Sequence, residues 1–91
     1  MREFEWDKEK AAANRSKHGI SFDLATQIFK RPVVTLKTEW AEGELRSTDV
    51  GMADNLIMVV VTHTDRDGRT RIISARKATP HERRRYDDDH T

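Results

Sequence analysis

Apolar and polar residues follow two different periods along the first third of the chain. Residues 3–6, EFEW, alternate polar and apolar side chains, which predicts a short strand. Asp7 is a typical N-cap for a helix over the alanine-rich residues 8–17, and Gly19 supplies the left-handed residue that commonly ends a helix. Ser21 begins a second predicted helix, which has one apolar face.

The middle of the chain is predicted to form four strands. After Pro32, which stops the second helix, strands are predicted over residues 33–38, 45–52, 55–64 and 69–78. The third of these, NLIMVVVTHT, is nearly continuous in apolar character, so we expect it at the centre of the sheet. Asp67 and Gly68 form a two-residue turn signal that joins the last two strands as a hairpin.

A capping box opens the last predicted helix, since residues 79–82 read Thr-Pro-His-Glu. Three aspartates would then lie at the negative end of the helix dipole. We therefore expect the helix to fray after Tyr86 and residues 87–91 to form a disordered acidic tail. The order β-α-α-β-β-β-β-α predicts an α+β fold with a small antiparallel sheet, in a single domain over residues 1–86.

Composition limits the class of protein. A chain of 91 residues with 35% hydrophobic content can bury only one modest core. The absence of cysteine excludes a disulfide framework and a thiolate metal site. No apolar run approaches the roughly 20 residues that span a bilayer, and residues 1–10 lack the apolar segment of a signal peptide. We therefore expect a cytoplasmic protein without membrane contact.

Charge is segregated along the chain, although the formal net charge is only +1. Residues 66–85 contain eight lysines and arginines and two acids, a local charge of +6, whereas residues 37–54 carry −3. A basic block on structured elements favours a phosphate-rich partner. The four histidines show no metal-ligand spacing and the carboxylates are not clustered for two metal ions, so we expect neither a metal nor another cofactor.

The predicted hairpin sorts its side chains onto two faces. Counted outward from the turn, Arg71 lies opposite Thr64 and shares a face with Arg69 and Lys77, and we interpret this face as ligand-facing. The neighbouring bases favour phosphate binding by Arg71 over a merely solvated side chain. The same register puts Arg76 on the helix-covered face, where it forms a structural ion pair or, if the strand contains a bulge or Arg76 lies near the sheet edge, has a functional role.

Two blocks of the sequence resemble the BrnT toxins of bacterial type II toxin–antitoxin pairs. EFEWD and the helix that ends in KHGISF resemble the N-terminal half of that family, and VVVTHTDRDGRTRIISARKATPHERRRY resembles its C-terminal half. The resemblance implies a RelE-like ribonuclease fold, with helices packed on one side of a small antiparallel sheet. It also implies an endoribonuclease that cleaves RNA and so inhibits translation and growth.

The resemblance further implies a protein partner. A cognate BrnA-like antitoxin with a ribbon-helix-helix domain would form a hetero-oligomer with the toxin and neutralise it. The toxin would contact DNA only through this antitoxin. The basic surface is also compatible with an alternative function, a non-catalytic module that binds RNA or an antitoxin.

Metal-free RNA cleavage needs proton-transfer groups and cations that stabilise the phosphorane. The candidate catalytic residues are Lys17, His18, Arg71 and Arg76. The candidate RNA-binding residues are Arg46, Arg69, Lys77, Arg83 and Arg84. Two of the catalytic candidates, Lys17 and His18, also fit a plain C-terminal helix signature, and a surface ion pair is the favoured interpretation of Arg46. For His63, cross-strand packing is favoured over acid–base chemistry.

Overall fold

The chain folds as three α-helices packed against one five-stranded sheet in a computed structural model, which describes residues 2–89. In chain order the elements are β1 (Phe4–Glu5), α1 (Lys8–His18), α2 (Phe22–Thr26), a 3-10 turn (Gln27–Lys30), β2 (Val34–Ala41), β3 (Glu44–Met52), β4 (Met58–Arg66), β5 (Arg69–Lys77) and α3 (Pro80–Asp89). The α+β fold class and the order of the elements are confirmed. The 3-10 turn continues the second predicted helix in a tighter form.

Local capping contacts fix the helix ends that the sequence predicts. The Asp7 side chain accepts hydrogen bonds from two backbone N–H groups in the first turn of α1, and Gly19 adopts the left-handed conformation with φ of 72°. At the start of α3, the backbone N–H of Glu82 donates to Thr79 Oγ1 at 3.2 Å. The backbone N–H of Thr79 donates to Glu82 Oε1 at 2.9 Å, which completes the capping box.

The sheet has the strand order β1-β5-β4-β3-β2 and is mixed. Strands β2 to β5 pair antiparallel with their neighbours, but β1 pairs in parallel with β5, where Phe4 lies opposite Thr70. Two-residue turns with positive φ connect β2 to β3 at residues 42–43 and β4 to β5 at residues 67–68, as predicted for the second turn. Both turns lie at the same end of the sheet, which we call the turn end.

Helices cover both faces of the sheet. On the first face, called the α1 face, α1, α2 and the 3-10 turn pack over a cluster that includes Phe22, Ile28, Val59, Val61 and Ile72. On the opposite face, called the α3 face, Tyr86 of α3 packs with Val34, Val50, Met58 and Val60. This corrects the expectation that all helices lie on one side. The physical reason is that β4 carries apolar side chains on both of its faces, so that each face must pack against a helix.

The last helix is longer than expected. It continues to Asp89, three residues beyond the predicted fraying point at Tyr86. The remaining residues of the predicted tail, 90 and 91, lie outside the described residues. Within residues 2–89, no helix is long and apolar enough to cross a membrane.

Asn14 ties α1 to the free edge of β5. Its amide nitrogen donates to the Ala75 carbonyl at 2.8 Å, and its side-chain oxygen accepts from the Ala75 N–H at 3.1 Å. The amide also donates to the Ile20 carbonyl at 3.0 Å. Because β1 pairs with β5 only at residues 70 and 71, the buried Asn14 side chain takes the place of a neighbouring strand at Ala75.

Candidate functional site

An extra residue in β5 changes which side chains reach the α3 face. The register predicted from the turn holds at Arg71, but a shift further along the strand places Arg76 opposite Val60 and Lys77 opposite Val59. Arg76 therefore lies on the α3 face with Arg71, and Lys77 pairs across from a residue of the α1 face. This corrects the predicted faces of both residues. The physical reason is the β-bulge, which inserts one unpaired residue and reverses the alternation beyond it.

Arg76 is held by a carboxylate of α3. Its two terminal nitrogens, Nη1 and Nη2, donate to Oε1 and Oε2 of Glu82, each at 2.8 Å. This bidentate pair lowers the pKa of Glu82 to about 2 and raises the pKa of Arg76 above its ordinary value. Both structural conditions considered for Arg76, an ion pair and a bulge, are therefore present together.

Arg71 and Arg69 are paired with glutamates near the chain start. Arg71 Nη1 lies 2.9 Å from Glu5 Oε2, and the side chain of Arg71 is 27% exposed. Arg69 contacts Glu3 at 3.5 Å and Glu5 at 3.7 Å. The carboxylates of β1 and of the residue before it thus offset the positive charge of the two arginines.

Arg46 belongs to the same row of side chains across the sheet as Arg71. Arg46 lies opposite Thr64, and Thr64 lies opposite Arg71. Arg46 Nη2 contacts Glu42 at 3.2 Å and Glu44 at 3.4 Å, so the ion pairs that the sequence favoured are present. Its Nε is buried and has no hydrogen-bond partner among the described residues.

The remaining candidate RNA-binding residues form an exposed group of cations beside the start of α3. We call Lys77, Arg83, Arg84 and Arg85 the α3 cations. All four are exposed, and none makes a side-chain hydrogen bond or ion pair within residues 2–89. The connection between β5 and α3 is only two residues long. Unpaired positive charge is therefore concentrated at the junction of the last strand and the last helix.

Lys17 and His18 belong to a different helix from Arg83 and Arg84. Both occupy the last turn of α1, both are exposed, and neither has a side-chain partner in the described part of the chain. Since α1 packs on the α1 face, the structure does not bring them together with the side chains of Arg71 and Arg76. α3 (Pro80–Asp89) contains one histidine, His81, which is exposed in the first turn of the helix. Sequence reasoning did not consider His81 for proton transfer.

Sequence reasoning also missed a buried acid–base pair on the α1 face. His63 Nε2 lies 2.7 Å from Asp49 Oδ2, and Thr35 Oγ1 donates to Asp49 Oδ1 at 2.8 Å. Burial by itself raises the pKa of Asp49, but the bonds with His63 and Thr35 outweigh this effect and lower the pKa. The ring of Phe29 meets the ring of His63 edge-on at 5.0 Å. The available signal was two polar residues at strand positions that face the core.

The arrangement provides two kinds of cation, one held by carboxylates and one without a partner in the described part of the chain. Arg46, Arg71 and Arg76 are oriented by carboxylates, and a guanidinium that binds a carboxylate in bidentate fashion has the geometry that also suits phosphate. The α3 cations are free to attract a polyanion. No group of three or more histidine, aspartate or glutamate side chains suited to hold a metal ion occurs within residues 2–89.

These features define a small α+β protein with a cationic junction suited to a phosphate-bearing ligand. The sequence model of a family described as "Ribonuclease toxin, BrnT, of type II toxin-antitoxin system" matches residues 6–82. The chain belongs to this BrnT family of ribonuclease toxins. The resemblance seen in the sequence is thereby confirmed. Membership of a type II toxin–antitoxin system also implies a protein antitoxin as partner.

A solved structure supports the same fold. The 1.1 Å crystal structure of the Brucella abortus ribonuclease toxin BrnT is similar to this chain with a TM-score of 0.59. The two sequences are 21% identical, and the match covers 87% of this chain and 99% of the other. No curated protein matched the sequence.

Proposed function

We propose that this chain is a metal-independent endoribonuclease toxin that cleaves RNA in the cytoplasm and so slows translation and growth. The observation that carries the proposal is the group of α3 cations, which are exposed and unpaired within the described residues. Such a group has no evident structural role and suits an RNA backbone. The description of the BrnT family as ribonuclease toxins supports the choice of RNA.

In this proposal, Arg71 and Arg76 contact the scissile phosphate. Each already donates to a carboxylate at 2.8 to 2.9 Å. The guanidinium groups therefore need little reorientation to donate to phosphate oxygens in place of Glu5 and Glu82. The RNA backbone on either side is held by Arg46, Arg69, Lys77, Arg83 and Arg84. The antitoxin is a BrnA-like protein with a ribbon-helix-helix domain, which contacts DNA for the complex.

Proton transfer is assigned to Lys17 or His18, with His81 as a further candidate. An imidazole exchanges protons near neutral pH and can serve the 2′-hydroxyl or the leaving oxygen. Lys17 and His18 are carried by α1, which packs on the face of the sheet opposite to Arg71. His81 is carried by the same helix as Arg83 and Arg84.

Cleavage of a labelled RNA by the purified chain, with EDTA present, tests the proposal. We expect cleavage by the parent and its loss in folded Arg71→Ala, and separate His18→Ala and His81→Ala variants identify the proton-transfer residue. Lys10→Ala is the matched control, because it removes one exposed cation of α1 that has no side-chain partner in the described part. Intact RNA with the parent, or cleavage only after a divalent metal is added, would contradict the proposed chemistry.

Measurements of RNA binding by variants distinguish residues that bind the RNA backbone from residues that act in catalysis. Arg84→Ala should weaken binding to all RNA sequences alike and lower the slope of log affinity against log salt by about one. Lys10→Ala should leave this slope unchanged. An unchanged slope in Arg84→Ala would show that this cation does not contact phosphate.

A second candidate function is a non-catalytic module that binds RNA or the antitoxin. The observation in its favour is that α1, which carries Lys17 and His18, packs on the face of the sheet opposite to Arg71 and Arg76. Salt-sensitive RNA binding without cleavage by the parent, together with unchanged growth on expression, would support this function over the ribonuclease.

A further inference from the structure

Two large apolar side chains are exposed side by side at the turn end of the sheet. Trp40 of β2 is 73% exposed and Leu45 of β3 is 48% exposed. They are register partners on neighbouring strands, so their side chains project from the same face within contact reach of one another. An exposed tryptophan next to an exposed leucine loses hydrophobic stabilisation unless another molecule covers the pair.

A cavity of about 350 Å³ continues this apolar pair along the α1 face. Its lining includes Leu45, Ser47, His63 and Asp65. His63 Nδ1 is buried and has no partner among the described residues, while Nε2 lies 2.7 Å from Asp49. Because a carboxylate only accepts hydrogen bonds, Nε2 carries a proton toward Asp49. The carboxylate of Asp65, which also lines the cavity, suits a ligand that brings hydrogen-bond donors.

The charges around the apolar pair oppose a nucleic acid. Three cations of the turn end, Lys37, Arg46 and Arg66, project from the α3 face and are engaged by Glu39 or Glu44. On the α1 face, Arg2 donates to Thr70 Oγ1 at 3.5 Å and its guanidinium lies over the ring of Phe29. By contrast, the carboxylates of Asp65 and Asp67 have no ion pair within residues 2–89. The two carboxylates outnumber Arg2, which also has no ion pair among the described residues. The balance of unpaired charge at the turn end is therefore negative, the reverse of the α3 cations. A phosphate backbone would be repelled, and a basic polypeptide would be attracted.

The backbone next to Trp40 is also open to a polypeptide. β2 is an edge strand with β3 as its neighbour in the sheet. A register shift between Thr35 and Lys37 interrupts the strand, and regular pairing with β3 then runs from Lys37 to Ala41. An extended segment can add to such an edge by main-chain hydrogen bonds while its side chains enter neighbouring pockets.

We propose that the turn end is the docking surface for the antitoxin, a protein segment that lays an apolar residue on Trp40 and Leu45 and directs a basic residue toward Asp65. The identity of the partner rests on the proposed function. This surface is the α1 face of the turn end, whereas Arg46 and Arg69, proposed above to bind RNA, project from its α3 face. Antitoxin docking and RNA binding therefore use different residues. Acidic character, apolar area and a strand edge together fit a basic polypeptide better than RNA.

The test measures binding of the proposed BrnA-like antitoxin, purified on its own, to parent and variant toxin by calorimetry at physiological salt. We expect Trp40→Ala to weaken binding by about tenfold or more, as for a central aromatic anchor, with partial recovery in Trp40→Phe. Asp65→Lys should weaken binding and reduce its association rate. Leu56→Ser is the matched control, because Leu56 is 80% exposed in the connection at the opposite end of β3 and β4. Thermal unfolding confirms that each variant is folded.

Several results would overturn the proposal. The proposal is wrong if the antitoxin binds parent and Trp40→Ala equally, or if it does not bind the parent. Weaker RNA binding in Trp40→Ala with unchanged antitoxin binding makes RNA the occupant. A parent dimer in sedimentation that Trp40→Ala dissociates, again with unchanged antitoxin binding, makes a second copy the occupant. If the parent leaves RNA intact while Trp40→Ala loses the antitoxin, the docking surface stands and the ribonuclease proposal falls.

Discussion

Replacement of Asn14 by alanine should destabilise the fold more than its place in a short polar helix suggests. The substitution removes three hydrogen bonds and leaves the N–H and carbonyl of Ala75 and the carbonyl of Ile20 without their partner. A buried backbone group left unsatisfied costs about 1–3 kcal/mol, and neighbouring losses are not fully additive. We expect a total of about 3 kcal/mol, against a typical domain stability of about 5–15 kcal/mol.

Thermal and urea unfolding followed by circular dichroism measure this loss. For a domain of this size, about 3 kcal/mol corresponds to a fall of roughly 12–24 °C in Tm. Ala13→Asn is the matched control, because it places the same side chain at an exposed position of α1 and costs only the difference in helix propensity, about 0.7 kcal/mol. A loss in Asn14→Ala no larger than in the control would refute the idea that Asn14 replaces a strand.

Two further predictions concern stability. Arg76 lowers the pKa of Glu82 to about 2 from its ordinary 4.5, so this pair stabilises the fold above about pH 4.5 and its contribution disappears as the pH falls toward 2. Because the Arg76 side chain is 40% exposed, solvent screening reduces the effect. In urea titrations, Glu82→Gln should lower the free energy of unfolding by about 1–2 kcal/mol at pH 7 and by little near pH 2. A difference between parent and variant that does not change with pH would contradict this. In Gly51→Ala, the added Cβ would lie 2.8 Å from Ile28 Cβ and 3.1 Å from Val33 Cγ1, so overpacking should cost about 1–3 kcal/mol in the same titrations, and an unchanged midpoint would show that the 3-10 turn yields freely.

Local chemistry explains which parts of the fold the sequence predicts. The caps at Asp7 and Gly19, the capping box of α3 and the turn at residues 67–68 each depend on contacts within a few residues. Such signals do not need the rest of the chain to be in place. The apolar run of β4 likewise showed that this strand is central, although the sequence analysis placed the helices on one side only and did not predict a cover on both faces.

Contacts between distant segments explain what the sequence does not predict. The parallel pairing of Phe4 with Thr70 joins residues far apart in the chain. The bulge in β5 is not marked by a residue type that is typical of bulges or turns. One unpaired residue was enough to reverse the faces of Arg76 and Lys77. Nothing in the sequence indicates that the Asn14 side chain forms hydrogen bonds with the backbone of Ala75. The basic block was recognisable from composition, but the acids that neutralise most of its strand arginines were not.

The double role of Glu82 has a thermodynamic consequence for ligand binding. Its Oε1 accepts from both the backbone of Thr79 and the guanidinium of Arg76. An anion that takes Arg76 must compete with this carboxylate, and it leaves the start of α3 without the ion pair that orients its cap. By reciprocity, any contact that secures the first turn of α3 weakens anion binding at Arg76, and any anion bound there loosens that turn. The order of the first turn of α3 and anion binding at Arg76 are therefore thermodynamically coupled.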